Sequence, residues 1–216
     1  MSPSIALTYL FAAALVAGLL LKFWLASRQV RHVAKHRGAV PPAFAEANSL
    51  DAHQKAADYT LARSRFGLIE MAWSAAVLLG WTLMGGLDLL NQGLRAWLGH
   101  GMWQQLALLA AFSLIGGLLE LPFSLWQTFK LEAKFGFNNM TLRLWIIDGI
   151  KGIALGAAIG LPLAALILWL MKVAGPLWWL WAWAVWMGFN LLLLLIYPTF
   201  IAPLFNKIKP LDDAGL

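Results

Sequence analysis

Three observations predict an all-α protein, a polytopic bundle of about five transmembrane helices. Of the 216 residues, 61% are hydrophobic and only 12% are charged, and the mean hydropathy is +0.72. Soluble domains are nearer about half apolar and about a quarter charged. The 13 tryptophans also favour a membrane protein, because indole rings prefer the interface between lipid and water. The chain has no cysteine, which excludes disulfides and thiolate metal sites.

Five apolar stretches are long enough to cross the hydrocarbon layer, which requires about 20 residues. The second stretch is interrupted by Gly85 and Gly86, and a turn at Gly175 and Pro176 separates the fourth from the fifth. The predicted spans cover residues 5–26, 66–90, 102–129, 146–171 and 177–197.

The basic residues predict the orientation of these spans. The segments 27–65 and 130–145, together with the tail after the fifth span, carry twelve lysines and arginines. The connections on the other side carry only Arg95 and Lys172. Because basic residues accumulate on the cytoplasmic side, 27–65 and 130–145 are predicted cytoplasmic loops. The N-terminus is then outside and the C-terminus is cytoplasmic.

The segment from Glu120 to Lys151 places charged residues between two long apolar stretches. Burying an unpaired charge in hydrocarbon costs several kcal/mol, so these charges indicate a water-filled cavity, a substrate or a neighbouring domain. Asp148 and Lys151 are three residues apart and can pair along one helix face. The alternative for Glu120 and for Asp148 is a position at the membrane surface, where the carboxylate pairs with a basic residue of another helix.

Other polar residues have simpler interpretations. Asn138, Asn139 and Thr141 could cap the helix that follows them. His32 and His36 are four residues apart, but Val33 stands where a zincin motif requires glutamate, so a solvated basic face is favoured over a metal pair. The sequence contains no nucleophile–base pair, phosphate loop or nucleotide fingerprint.

Three segments resemble the N-terminal membrane half of the type I CAAX prenyl protease family. The segment LPFSLWQTFKLEAKFGFNNMT, followed by Asp148 and Lys151, resembles a family motif in sequence and position. IYPTFIAPLFNKIKPLDDAGL resembles the family's approach to its catalytic domain, and DAHQKAADYTLARSRFG resembles its first cytoplasmic loop. The resemblance extends over almost the whole chain.

The resemblance implies that the parent protein is an integral-membrane zinc metalloendopeptidase. Family members bind zinc through H-E-x-x-H and a downstream glutamate, and the zinc polarises the scissile carbonyl and activates water. No H-E-x-x-H occurs in this sequence, so the zinc ligands are expected beyond Leu216, and the present residues alone are expected to be inactive. Residues 1–199 would form the transmembrane domain, and residues 200–216 a linker into the zinc protease domain.

In such a protein the membrane half would form a wall of the family's intramembrane chamber and would dock the catalytic domain. The residues expected at the chamber or at that interface are Glu120, Glu132, Asn138, Asn139, Asp148, Lys151, Pro203 and Asn206.

Phe135 stands where eukaryotic members tend to have histidine, which resembles bacterial members and predicts the bacterial inner membrane. Expected partners are the lipid bilayer, the zinc protease domain and a peptide or membrane-protein substrate, either CAAX-like or a damaged membrane protein. Nucleic acid is not expected, because membrane topology accounts for the net charge of +6. The alternative is a non-enzymatic scaffold that binds partners through 27–65. A transporter is disfavoured, since no internal repeat is apparent.

Overall fold

The computed structural model describes residues 3–42, 46 and 48–205, and these residues form helices and connecting turns without a strand. The α-helices are α1 (Pro3–His36), α2 (Leu50–Thr82), α3 (Gly86–Leu98), α4 (Met102–Trp126), α5 (Ala133–Phe135), α6 (Leu142–Val173), α7 (Trp178–Ile196) and α8 (Ala202–Phe205). π-helical turns at Gln127–Glu132 and Tyr197–Ile201 join α4 to α5 and α7 to α8. A 3₁₀ turn, Gly175–Leu177, connects α6 to α7.

Four continuous helical segments are long and apolar enough to span a membrane: Ile5–His36, Met102–Phe135, Leu142–Val173 and Gly175–Phe205. α2 and α3 together make a fifth, broken candidate that is bent by 50°. The predicted all-α bundle of about five spans is therefore confirmed, and the protein is a multi-pass integral membrane protein. Which side each end faces remains a prediction.

The bend between α2 and α3 follows from two glycines. Gly85 has φ +80°, a left-handed conformation that side chains with a Cβ disfavour. A Cβ on Gly86 would lie 2.7 Å from the carbonyl oxygen of Gly80, so the turn also needs the absence of a side chain there. Asp88 lies in the first turn of α3, where its charge complements the helix dipole.

The two predicted cytoplasmic loops are mainly helical. Residues 27–36 continue α1, residues 50–65 form the first half of α2, and residues 130–135 continue the helix that begins at Met102. Lysine, arginine, glutamate and alanine are good helix formers, so the helices extend past the apolar stretches into polar sequence. Ser49 caps α2 by accepting a hydrogen bond from the Ala52 amide at 3.2 Å.

The chain divides into two units by its internal contacts. One unit holds the described residues up to Ala96 together with Phe112–Met140, and within it α1 packs along α2. The other holds Trp97–Ala111 and the described residues from Thr141 onward, and within it α6 packs against α7. Large apolar side chains on the spans are mostly exposed, as expected for surfaces that meet lipid or other protein.

Candidate functional site

An aromatic cluster stabilises the polar end of the first unit. Phe135 is one of the few side chains that are buried among the described residues, and its ring meets Tyr59 of α2 edge-on at a centroid distance of 5.3 Å. The exposed ring of Phe137 meets the same tyrosine at 4.9 Å. Gly136 ends the helix between the two phenylalanines with φ +79°, a left-handed helix cap. The cluster therefore joins the segment after α4 to the polar half of α2.

Glu132 lies in the π-helical turn, next to this cluster. Its Oε1 is 3.8 Å from Arg63 Nη1 of α2 and accepts a hydrogen bond from Gln127 Nε2 at 3.3 Å. The glutamate side chain is 27% exposed and the arginine 55%, so water screens the ion pair and its contribution to stability is small. π-turns are rare and often occur at functional sites.

Asn138 and Asn139 follow the turn. Asn138 is half-buried, and its Oδ1 accepts a hydrogen bond from the Met140 amide at 2.7 Å, which makes an Asx turn. Asn139 is exposed. In the second unit, Thr141 caps α6 through its hydroxyl, which accepts a hydrogen bond from the Leu144 amide at 3.3 Å. The cap of α6 is thus Thr141, and Asn138 shapes the loop before it.

Lys151 is the centre of a second polar group, within the second unit. Its Nζ lies 3.6 Å from Asp148 Oδ1 and donates a hydrogen bond to the backbone carbonyl of Leu204 at 3.0 Å. The same Nζ is 5.9 Å from the centroid of the Phe205 ring. Asp148 Oδ1 is buried and accepts no hydrogen bond from the described residues, so the lysine is its nearby source of positive charge. Lys151 thereby attaches α8 to α6.

The remaining predicted site residues are more dispersed. Glu120 is exposed on α4, next to Leu119, whose carbonyl accepts a hydrogen bond from Trp73 Nε1 at 3.1 Å. Pro203 is exposed in α8. Asn206 lies outside the described residues. The structure thus groups Glu132 and Asn138 in one unit, and Asp148 and Lys151 in the other.

Sequence reasoning missed the partners of these residues. Tyr59 and Arg63 lie in the segment 51–67, which resembled a family loop but gave no reason to select a single residue. Arg37 was also missed, although its Nε and Nη2 donate to the two carboxylate oxygens of Asp58 at 2.6 and 2.8 Å. Hydrogen bonding to Asp58 raises the pKa of Arg37 above its ordinary value. These pairs join distant parts of the sequence, so the spacing of neighbouring residues does not predict them.

The described part of the chain offers no metal site. Over residues 3–42, 46 and 48–205, no three His, Asp or Glu side chains form a group that could hold a metal ion. His32 and His36 have ring centroids 4.3 Å apart, but His36 Nδ1 donates to the backbone carbonyl of His32 at 2.8 Å. These residues therefore do not fit a catalytic zinc ion.

Comparison with known proteins links the sequence to one family. Residues 29–207 match the family model described as CAAX prenyl protease N-terminal, five membrane helices. The chain is 31% identical to the CAAX prenyl protease 1 homolog of Homo sapiens over 96% of its own length. It is 36% identical to the homolog of Oryza sativa subsp. japonica over 73% of its length.

A solved structure is similar over nearly the whole fold. The crystal structure of S. mikatae Ste24p superposes with a TM-score of 0.84 at 28% sequence identity, covering 93% of this chain. The chain spans less than half of each of these proteins: 46% of the human homolog, 39% of the rice homolog and 48% of the yeast structure.

Proposed function

The chain belongs to the CAAX prenyl protease N-terminal family, and from that premise we propose that it forms the membrane part of an integral-membrane zinc metalloendopeptidase. The observation that carries the proposal is the family match over residues 29–207. The names of the human and rice relatives, both CAAX prenyl protease 1 homologs, support a proteolytic role. In this proposal the spans form a wall of a chamber that admits a peptide or membrane-protein substrate.

Each unit carries a polar group that is proposed to contact a catalytic domain. Glu132 and Asn138 belong to a segment that is fixed on α2 by the Tyr59 cluster and Arg63. Asp148 and Lys151 belong to a group in which a buried carboxylate oxygen accepts no hydrogen bond from the part of the chain that the structure describes. An unsatisfied buried acceptor is costly, so a donor from a partner domain would stabilise the assembly.

The proposed zinc ion would be bound by residues other than those that the structure describes. Because the described residues do not fit the ion, its ligands would be supplied by a separate zinc protease domain. CAAX-like peptides and damaged membrane proteins both remain proposed substrates. The bacterial inner membrane remains a prediction that rests on Phe135 alone, and the human and rice relatives are eukaryotic.

Peptide hydrolysis in detergent tests the proposal. The 216-residue chain is compared with a polypeptide in which the chain continues to the full length of its relatives. We expect the longer polypeptide to cleave a CAAX-like or membrane-protein peptide, to lose that activity with a zinc chelator and to regain it with Zn²⁺. The 216-residue chain is expected to be inactive. A longer polypeptide that is pure, folded and inactive on both peptide classes would favour the scaffold and reject the enzyme.

A further inference from the structure

The first unit contains a groove between α2 and the helical segment that ends at Phe135. Two cavities, of about 460 and 410 Å³, adjoin each other there. They share four lining residues: Ala62 and Arg65 of α2, and Lys134 and Phe135 of α5. We call the two cavities together the basic groove.

The lining of the basic groove changes from apolar to basic along its length. On α2, Arg65 is followed by Phe66 and Ile69, one turn further into the apolar half of the helix. On the opposite wall, Trp126 is followed by Lys130 and Lys134. The second predicted span begins at residue 66 and the third ends at residue 129, so the three cations are expected just outside the apolar layer. With these bounds, the groove is expected to cross the boundary between hydrocarbon and headgroups.

The acids near the groove have other partners. Asp58 also lines it but receives both donors of Arg37, at 2.6 and 2.8 Å. Glu132 has Arg63 at 3.8 Å. Within the described ranges, Arg65, Lys130 and Lys134 have no acidic side chain within 4.0 Å. The hydrogen bond from Arg37 lowers the pKa of Asp58, and the charge of Lys134 also lowers it, although less. None of the three cations forms a close ion pair with a residue that the structure describes, so they remain available to an anion.

The apolar wall is exposed as well. The side chains of Ile69 and Trp126 are 61% and 55% exposed, beside the cations rather than on a separate face. An inorganic anion would leave these side chains uncovered. A molecule with an anionic head and a hydrocarbon chain would complement both parts of the groove at once.

We propose that the basic groove binds an anionic phospholipid. Arg65, Lys130 and Lys134 contact the headgroup phosphate, and an acyl chain lies along Phe66, Ile69 and Trp126. Basic pockets between transmembrane helices on the cytoplasmic side are suited to anionic headgroups, and that leaflet carries the anionic lipids. The groove adjoins the segment proposed to contact a catalytic domain, but lipid binding requires no protease activity, so either proposal can fail without the other.

Native mass spectrometry of the protein in neutral detergent tests the site. Palmitoyl-oleoyl phosphatidylglycerol is titrated into the protein, and the phosphatidylcholine with the same acyl chains is titrated in parallel as the neutral reference. The triple variant R65Q/K130Q/K134Q should bind phosphatidylglycerol at least about tenfold more weakly, because each basic residue near the headgroups contributes to anionic-lipid affinity. The matched control R28Q/R31Q/K35Q removes the same charge from α1, outside the groove, and should change the affinity less than about twofold.

A second variant separates the groove from general surface charge. Ala62→Phe fills the shared part of both cavities and keeps every cation, and it should weaken phosphatidylglycerol binding to a similar extent. Unchanged binding by Ala62→Phe, or equal losses in the two triple variants, would overturn the proposal. So would displacement of the lipid by millimolar inorganic phosphate, since that result assigns the site to a free anion. Far-ultraviolet circular dichroism confirms that each variant is folded before its lipid binding is compared with that of the unmodified protein.

Discussion

Replacing Phe135 by alanine is expected to destabilise the protein by about 3 kcal/mol, the lower end for a buried phenylalanine. The ring is 9% exposed and packs edge-on against Tyr59, so its removal leaves a cavity where the segment after α4 meets α2. The free energy of unfolding is measured by titration with sodium dodecyl sulfate in mixed micelles.

Phe137→Ala is the matched control for this prediction. Phe137 contacts the same tyrosine and is 55% exposed, so its loss should cost less than about 1 kcal/mol, the scale of one aromatic pair. Equal effects of the two substitutions would contradict the view that the buried ring, rather than the aromatic pairing, fixes this segment.

Replacing Lys151 by methionine is expected to cost about 1 to 2 kcal/mol. The substitution leaves the buried Oδ1 of Asp148 without a neighbouring cation and removes the donor to the Leu204 carbonyl. The lysine side chain is 45% exposed and the aspartate 20%, so the effect should be smaller than for a fully buried pair. The same detergent titration measures the change.

Two further variants test whether the loss of stability in Lys151→Met comes from the ion pair of Asp148 and Lys151. Lys172→Met makes the same substitution on an exposed lysine near the end of α6 and should change stability by less than about 0.5 kcal/mol. Asp148→Asn removes the charge that the lysine neutralises, so the double variant should be less destabilised than the sum of the single ones. Strict additivity would show that the lysine acts only through Leu204.

Much of this fold follows from the sequence because the membrane imposes simple requirements. Hydropathy predicts the five spans, and the glycine pair at 85–86 marks the break between α2 and α3. The three-residue spacing of Asp148 and Lys151 predicts a pair along one helix face, and the structure places the charged atoms 3.6 Å apart. These features depend on residues close together in the chain.

Contacts between distant segments could not be predicted in the same way. Arg37 and Asp58 are 21 residues apart, and Lys151 reaches a backbone carbonyl 53 residues away. A backbone carbonyl is present at every residue, so nothing in the sequence singles out Leu204. The helical extensions over residues 27–36 and 130–135 were also missed, since charge there was interpreted as loop although lysine, arginine and glutamate favour helices.

Under the proposed function, the polar segment that includes Asn139 contacts a catalytic domain. The sequence contains no cysteine, so Asn139→Cys and His100→Cys each provide a single thiol for a water-soluble maleimide. Both positions are exposed. The measurement is the labelling rate at each position in the 216-residue chain and in a polypeptide continued to the length of its relatives, with all other cysteines replaced by serine. We predict that the longer polypeptide slows labelling at position 139 by at least about tenfold, while labelling at position 100 is unchanged. Equal rates at position 139 in the two proteins would contradict the account.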